Sequence, residues 1–308
     1  MIISKPGFYN ECPEKDYHGD PVKGFSLSSD VVKALAMKSP RHAKALHPRL
    51  TEQEEKDQPD RPMCIGTAFH KIMLGRGRMI DVLKFDNYLK KDAKEERDAS
   101  FAAGNVPLLA PDMVEVELMV NATMEQLADL NMSDLFTGGH AEVTMAWREE
   151  NGVWCRSRPD YLHDDSKKGG HVFIPELKTT IGSAQPEDWS STCANTGYDY
   201  QACLRERGLK HLIPGLKSVE TLWVVVEQKP PYGLSLVTMD NQTRAEIGEM
   251  IEVAIDAWKV CRETNQWPSY GRATLDAKPW RSMSTELRRQ TLIDRTASLE
   301  KKGGVLLQ

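Results

Sequence analysis

The spacing of hydrophobic positions changes near the middle of the chain, and the change predicts where helices give way to strands. Val31, Val32, Leu35 and Ala36 recur at helical spacing directly after Ser26-Leu27-Ser28-Ser29-Asp30, which is helix-start chemistry. Ser39-Pro40 ends that helix or begins the next. The polar, acidic stretch from Thr51 to Arg61 reads as a loop. Ile65, Phe69, Ile72 and Met73 then mark the buried face of a second helical segment, with His70 beside that face. Leu89 to Ala102 is rich in charge and reads as a solvated helix or a loop. Met113, Val116, Leu118, Met119, Ala122, Met124, Leu127 and Leu130 predict a long amphipathic helix over 111–131.

From His140 the period shortens. Glu142 to Trp147, Val153 to Leu162 and Val172 to Lys178 read as three strands joined by two turns. Two more strands, 222–227 and 234–237, follow a helix around 188–207. A last helix, Ala245 to Thr264, carries Ile247, Met250, Ile251, Ala254, Ile255 and Trp258 on its inner face. This order predicts one mixed α/β domain with a helical N-terminal part, residues 26–270, after an extended arm, 1–25, and before a tail, 271–308. The apolar stripes at 113–130 and 247–258 read as core rather than as partner surfaces.

Composition narrows the function classes. A chain of 308 residues with 40% hydrophobic residues can bury a core without disulfide staples and is no disordered segment. Its 40 Lys plus Arg against 45 Asp plus Glu give a net charge of -5, which excludes a uniformly basic DNA-coating protein. A local basic groove is still allowed, with candidates at Lys33, Lys38, Arg41, His42, Lys44 and Arg49 and again at Arg205, Arg207 and Lys210. Cys12, Cys64, Cys155, Cys193, Cys203 and Cys261 show no C-x-x-C spacing and read as separate reduced thiols rather than as ligands of an iron-sulfur cluster. With neither a signal-peptide pattern nor a bilayer-length apolar run, a soluble cytoplasmic protein is expected.

The informative chemistry is Asp160 near the end of one predicted strand and Glu176-Leu177-Lys178 on the next. Alternate strand residues share a face, so Glu176 and Lys178 point one way and Leu177 the other. If the two strands pair as a hairpin, Asp160 joins Glu176 and Lys178. Two carboxylates with a main-chain carbonyl suit a hard divalent ion such as Mg²⁺ or Mn²⁺, and an adjacent ammonium offsets their charge and helps orient a water. The competing reading is an exposed i, i+2 pair on an edge strand beside a turn aspartate.

Arg158-Pro159-Asp160-Tyr161, Pro175-Glu176-Leu177-Lys178-Thr179-Thr180, the upstream Gly66-Thr67-Ala68-Phe69-His70 and Tyr198-Asp199-Tyr200-Gln201 stand in an order that resembles the PD-(D/E)XK nucleases. The RecE-type (exonuclease VIII) branch of phage and prophage recombination systems is the most similar, and Ser26-Leu27-Ser28-Ser29 and Ser39-Pro40-Arg41-His42 also resemble it. The resemblance covers roughly residues 24 to 265. It implies a central mixed β-sheet flanked by helices, and a Mg²⁺-dependent exonuclease, with Mn²⁺ as a substitute, that degrades duplex DNA 5′ to 3′ and leaves a 3′ overhang. It also implies a ring-shaped homo-oligomer on DNA ends, a single-strand annealing partner and a bacterial cytoplasm as the setting.

By the same resemblance, Asp160, Glu176, the Leu177 carbonyl and His70 are metal ligands, Lys178 is the catalytic lysine, and Gln201 arranges the site. In the family's Q-x-x-x-Y motif this chain has Arg205 in place of the tyrosine, which leaves Arg205 with no inherited role. Ser28 and Ser29 at a helix start, with Arg158, are candidates for a terminal 5′ phosphate, and N-cap serines with a surface arginine are the plain alternative. Glu142 opens a strand and reads either as a solvated residue, the favoured reading, or as one that approaches the metal site or supports it from outside. A structure-specific or restriction-like endonuclease with the same site, and a catalytically silent DNA-end-binding module, stay open as alternatives.

Overall fold

The computed structural model of the protein describes residues 1–52, 58–165, 170–272 and 290. Residues 1–269 form one compact unit. The basic residues of the predicted tail, from Arg281 to Lys302, lie outside the described residues. The compact unit opens with strand β1 (Gly7–Tyr9), helix α1 (Glu14–His18), strand β2 (Ser26–Leu27) and helices α2 (Ser29–Met37), α3 (Pro40–Leu46) and α4 (Arg61–Leu74). Strand β3 (Ile80–Leu83), helix α5 (Lys91–Ala102), strand β4 (Val106–Leu109) and helix α6 (Ala110–Asp129) follow. Then come β5 (Gly139–Ala141), β6 (Thr144–Arg148), β7 (Trp154–Ser157), β8 (Tyr161–His163) and β9 (Gly170–Thr180). Helices α7 (Pro186–Thr196) and α8 (Tyr198–Leu212), strands β10 (Leu216–Glu227) and β11 (Leu234–Val237) and helix α9 (Asn241–Thr264) complete it.

The sheet that carries the chemistry runs β11-β10-β9 and is mixed, since β10 pairs antiparallel with β11 and parallel with β9. Both of its faces are covered. Val172 and Ile174 of β9, with Trp223 and Val225 of β10, join the core that contains Val31 of α2, Leu204 of α8 and Ile255 of α9. Leu177, with Leu222, Val224 and Val226, joins a second core with Phe69 of α4 and Met119 of α6. A strand buried on both faces has no solvent side, which is why 222–226 reads as an unbroken apolar run. The mixed α/β architecture flanked by helices is as the sequence predicts. A four-stranded sheet, β1-β6-β7-β2, and the pairs β3-β4 and β5-β8 stand beside it.

Several expectations need correction. The segments 153–162 and 172–178 form no hairpin ladder among the described residues, because β9 pairs with β10, β7 with β6 and β2, and β8 with β5. The expected strand 153–162 is two strands broken at Arg158-Pro159-Asp160. The expected helix around 188–207 is likewise two, α7 and α8, meeting at Gly197. That residue has φ 72°, and a Cβ there would lie 2.8 Å from Lys33 Cδ and 2.9 Å from Met37 Sδ, so only glycine fits the turn and the approach of α2 together. Residues 1–25 are no extended arm: Ile3 is fully buried and bridges Val22, Cys12 and Asp20 are buried, and β1 pairs with β6. Of the two readings of the charged segment at 89–102 the helix is observed, over Lys91–Ala102, whereas Met250, expected on the inner face of α9, is exposed. All six cysteines are buried and unpaired, as expected of separate thiols.

Candidate active site

Asp160 owes its place to the broken strand. The β5-β8 ladder ends at Ala141↔Tyr161 and the β6-β7 ladder at Met145↔Ser157. Between them Pro159 has no N–H to donate, and Glu142 adopts a left-handed backbone with φ 52°, its N–H donating to the Asp160 carbonyl at 3.0 Å. Freed from a ladder, Asp160 docks on the open edge of β9 twice. Its Oδ2 accepts from the Leu177 N–H at 2.8 Å, and its own N–H donates to Glu176 Oε1 at 3.0 Å. The juxtaposition expected from a hairpin is therefore present, made by side chains rather than by a ladder.

Glu176 and Lys178 share one face of β9 while Leu177 enters the opposite core, as the alternation requires. Lys178 Nζ donates to Glu176 Oε2 at 3.3 Å, to Asp160 Oδ2 at 3.5 Å and to the Leu177 carbonyl at 3.2 Å. From α8, Arg205 places Nη1 2.6 Å from Glu176 Oε2 and donates through Nη2 to the Arg158 carbonyl at 3.2 Å. From α4, His70 Nε2 lies 3.3 Å from Asp160 Oδ2. Helix α4 comes this close to β9 at Gly66, where a Cβ would stand 2.8 Å from Thr179 Oγ1. Gln228 holds the same contact by donating to Thr179 Oγ1 at 2.9 Å and to the Pro62 carbonyl at 3.0 Å.

The cluster is buried, and its protonation follows from its pairing. Burial works against an Asp160 carboxylate, yet Lys178 and His70 hold it well below the usual carboxylate range. Burial pushes Glu176 up despite Arg205, with Asp160 adding to the rise. Burial opposes a charged His70, but Asp160 outweighs it and raises the imidazole. Lys178 is raised likewise by Asp160 and Glu176 against its burial. Asp160 is thus the carboxylate held ionised, between Lys178 and His70, and Glu176 is the one pushed toward its neutral form.

Among the described residues no three His, Cys, Asp or Glu side chains form a ready metal cage. The donors that do converge are the Asp160 and Glu176 carboxylates and the Leu177 carbonyl, all oxygen, and together they already surround one cation, the Lys178 ammonium. Such a set fits a hard divalent ion, with His70 at its margin.

A cavity of about 540 Å³ opens beside the cluster, lined by Ser28, Ser29, Arg158, Asp160, Lys178 and Gln201 among others. Ser28 is the N-cap of α2 with no side-chain capping bond, and Ser29 is buried in the first turn. Arg158 is no surface arginine. It donates to Thr144 Oγ1 at 3.0 Å and 2.7 Å and to the Cys12 carbonyl at 2.8 Å, and lies over the Tyr17 ring. Gln201 Oε1 is buried with no hydrogen-bond partner among the described residues. A second cavity, about 560 Å³, lies between α4 and β9, and Lys178 borders both.

Two residues depart from expectation. Glu142 is not solvated but turned inward, 3.9 Å from His70 Nδ1 and 4.0 Å from Arg158 Nη1, lining the first cavity. Arg205 is the partner of Glu176, and the signal for it was present: four residues after Gln201 on a helix, it shares the face that lines the cavity. The proposed basic groove is partly spent inside the protein, since Arg49 binds Asp20, Arg207 binds Glu149 and Glu252, and Arg205 binds Glu176.

A family model described as a PDDEXK-like domain of unknown function matches residues 28–276. Among solved structures, the chain is similar to a putative exonuclease from Eubacterium rectale, at 10% identity over 84% of this chain and 92% of that one, with a TM-score of 0.53. At that identity the likeness is one of fold. A phage related exonuclease from Haemophilus somnus 129PT aligns at 13% identity over 66% of this chain and 95% of that one, with a TM-score of 0.27. An alkaline exonuclease from Laribacter hongkongensis aligns at 14% over 64% and 95%, with a TM-score of 0.25. Scores of that size carry no argument. No curated protein matches the chain. Among the described residues no helix is long and apolar enough to cross a membrane.

Proposed function

This chain belongs to the PDDEXK-like domain family, and from that premise we propose that it is a divalent-metal-dependent exonuclease that degrades one strand of duplex DNA 5′ to 3′ and leaves a 3′ single-stranded overhang. The observation that carries the reading is the convergence of Asp160, Glu176, the Leu177 carbonyl and Lys178 Nζ within 3.5 Å at the wall of an open cavity.

Asp160, Glu176 and the Leu177 carbonyl, with His70 beside them, would hold Mg²⁺ or Mn²⁺. Such an ion, when bound, polarises a phosphodiester and lowers the pKa of a coordinated water. The chain's own groups do the rest. Lys178 orients the attacking water and offsets negative charge on the phosphate. Gln201, with its unpartnered Oε1, offers an acceptor for that water from α8. Ser28, Ser29 and the N-terminus of α2 face the cavity where a terminal 5′ phosphate would sit, and Arg158 stiffens its wall from Thr144 and Cys12. A phosphate-directed site of this kind reads no sequence. A recombination setting in a bacterial cytoplasm, phage or prophage encoded, with a ring-shaped homo-oligomer and a single-strand annealing partner, completes the proposal and rests on the resemblance.

The test uses linear duplex DNA with 5′-phosphate ends beside a covalently closed circle, each with Mg²⁺, with EDTA and with Lys178→Ala. Nucleotide release from linear DNA alone, lost with EDTA and with the variant, is the expected result. Cutting of the circle makes the protein an endonuclease, and DNA retention without cleavage makes it a silent end-binding module.

A further inference from the structure

The ammonium of Lys178 contacts the same three oxygens that a metal ion would use. Its three acceptors, Asp160 Oδ2, Glu176 Oε2 and the Leu177 carbonyl, lie 3.5, 3.3 and 3.2 Å away, and they are the three oxygen donors of the proposed metal site. A divalent ion would need these same oxygens at about 2.1 Å, so it competes with the ammonium for all three of them. Two cations in that space would also repel strongly in a buried setting. The lysine has somewhere to go, since its side chain borders both cavities. Glu176 also keeps a partner throughout in Arg205, at 2.6 Å, so departure of the ammonium does not strand a buried carboxylate.

From this geometry we propose that metal loading is an exchange: Lys178 is a built-in occupant of the cation site, and it leaves the three oxygens for the cavity side only when a divalent ion replaces it. The inference rests on Asp160, Glu176 and Leu177 being the metal ligands. It gives the site an ordering, because Lys178 is free to meet a phosphate only in the loaded protein, and the metal-free protein keeps its carboxylates neutralised.

Two measurements without DNA test it. In calorimetric titration with Mn²⁺, Lys178→Met binds about tenfold more tightly than the wild type, because the competing charge is gone. In the wild type, saturating Mn²⁺ increases acylation of Lys178 by an amine-specific reagent, read by peptide mass spectrometry, and Asp160→Asn abolishes the increase. Thermal melting of both variants checks that they are folded. Mn²⁺ binding by the wild type with no tightening in Lys178→Met, or with unchanged acylation, overturns the exchange and leaves the metal site standing. Failure of every form to bind Mn²⁺ overturns the metal site and the exchange together.

Discussion

Arg205 and Glu176 form a buried pair to which Lys178 adds a second cation on the carboxylate. Both are almost wholly inaccessible to water, at 3% and 0% exposure. Removing Arg205 leaves the buried Glu176 with Lys178 as its remaining cationic partner, a loss of up to about 3 kcal/mol. Arg205→Ala is therefore expected to lower urea-unfolding stability by that amount and to abolish cleavage, whereas a wild-type unfolding midpoint would show that the pair contributes little. Glu149 shows the same logic away from the site. Burial disfavours its carboxylate, but Arg207 and Trp147 hold it below the usual range. A carboxyl depressed in the folded state contributes stability above its unfolded pKa of about 4.3, and that contribution is lost as pH falls through the folded value. Glu149→Gln is expected to be less stable at neutral pH and to flatten the loss of stability below about pH 5. Urea midpoints measured against pH decide it, and an acid limb as steep as in the wild type counts against this assignment.

At the scale of elements, the site depends on how closely α4 approaches β9. Gly66 is the contact point, and a methyl group there meets Thr179 Oγ1 at 2.8 Å, one helical turn before His70. Gly66→Ala is expected to push α4 outward, leave the unfolding free energy within about 2 kcal/mol of wild type, and cut turnover by about tenfold with KM little changed. Single-turnover kinetics check this, and wild-type turnover would mean that His70 has no part in the reaction. The sequence placed His70 beside a buried helical face without showing what that face packs on. A glycine in a helix signals close approach, but not to which strand.

For the whole molecule, the N-terminal 25 residues belong to the folded unit. Ile3, Cys12 and Val22 are buried, and Asp20 binds Arg156, Arg49 and His47 beneath the cavity wall. Deleting residues 1–25 is expected to yield aggregated protein rather than a soluble, active core, and size-exclusion chromatography of the truncated chain is the check. Metal removal should behave differently. Because Lys178 and Arg205 already balance the buried carboxylates, EDTA is expected to stop cleavage while moving the melting temperature by less than about 3 °C. A larger drop would show that the ion is structural.

What the sequence determined by itself follows from local periodicity. Helical and strand segments and the common face of Glu176 and Lys178 all depend on residues within a few positions of one another. The motif order was legible for the same reason, and with it the site residues Asp160, Glu176 and Lys178 as a candidate set. Only the tertiary structure decided how Asp160 reaches β9, because that docking uses a strand break opposite Glu142 and two hydrogen bonds across sixteen or more residues. It alone assigned Arg205 to Glu176, turned Glu142 inward, folded residues 1–25 into the core and drew Arg49 and Arg207 of the expected basic groove onto carboxylates. Each of these is a pairing of distant charges or surfaces, and a pattern read along one chain carries periodicity but not partners.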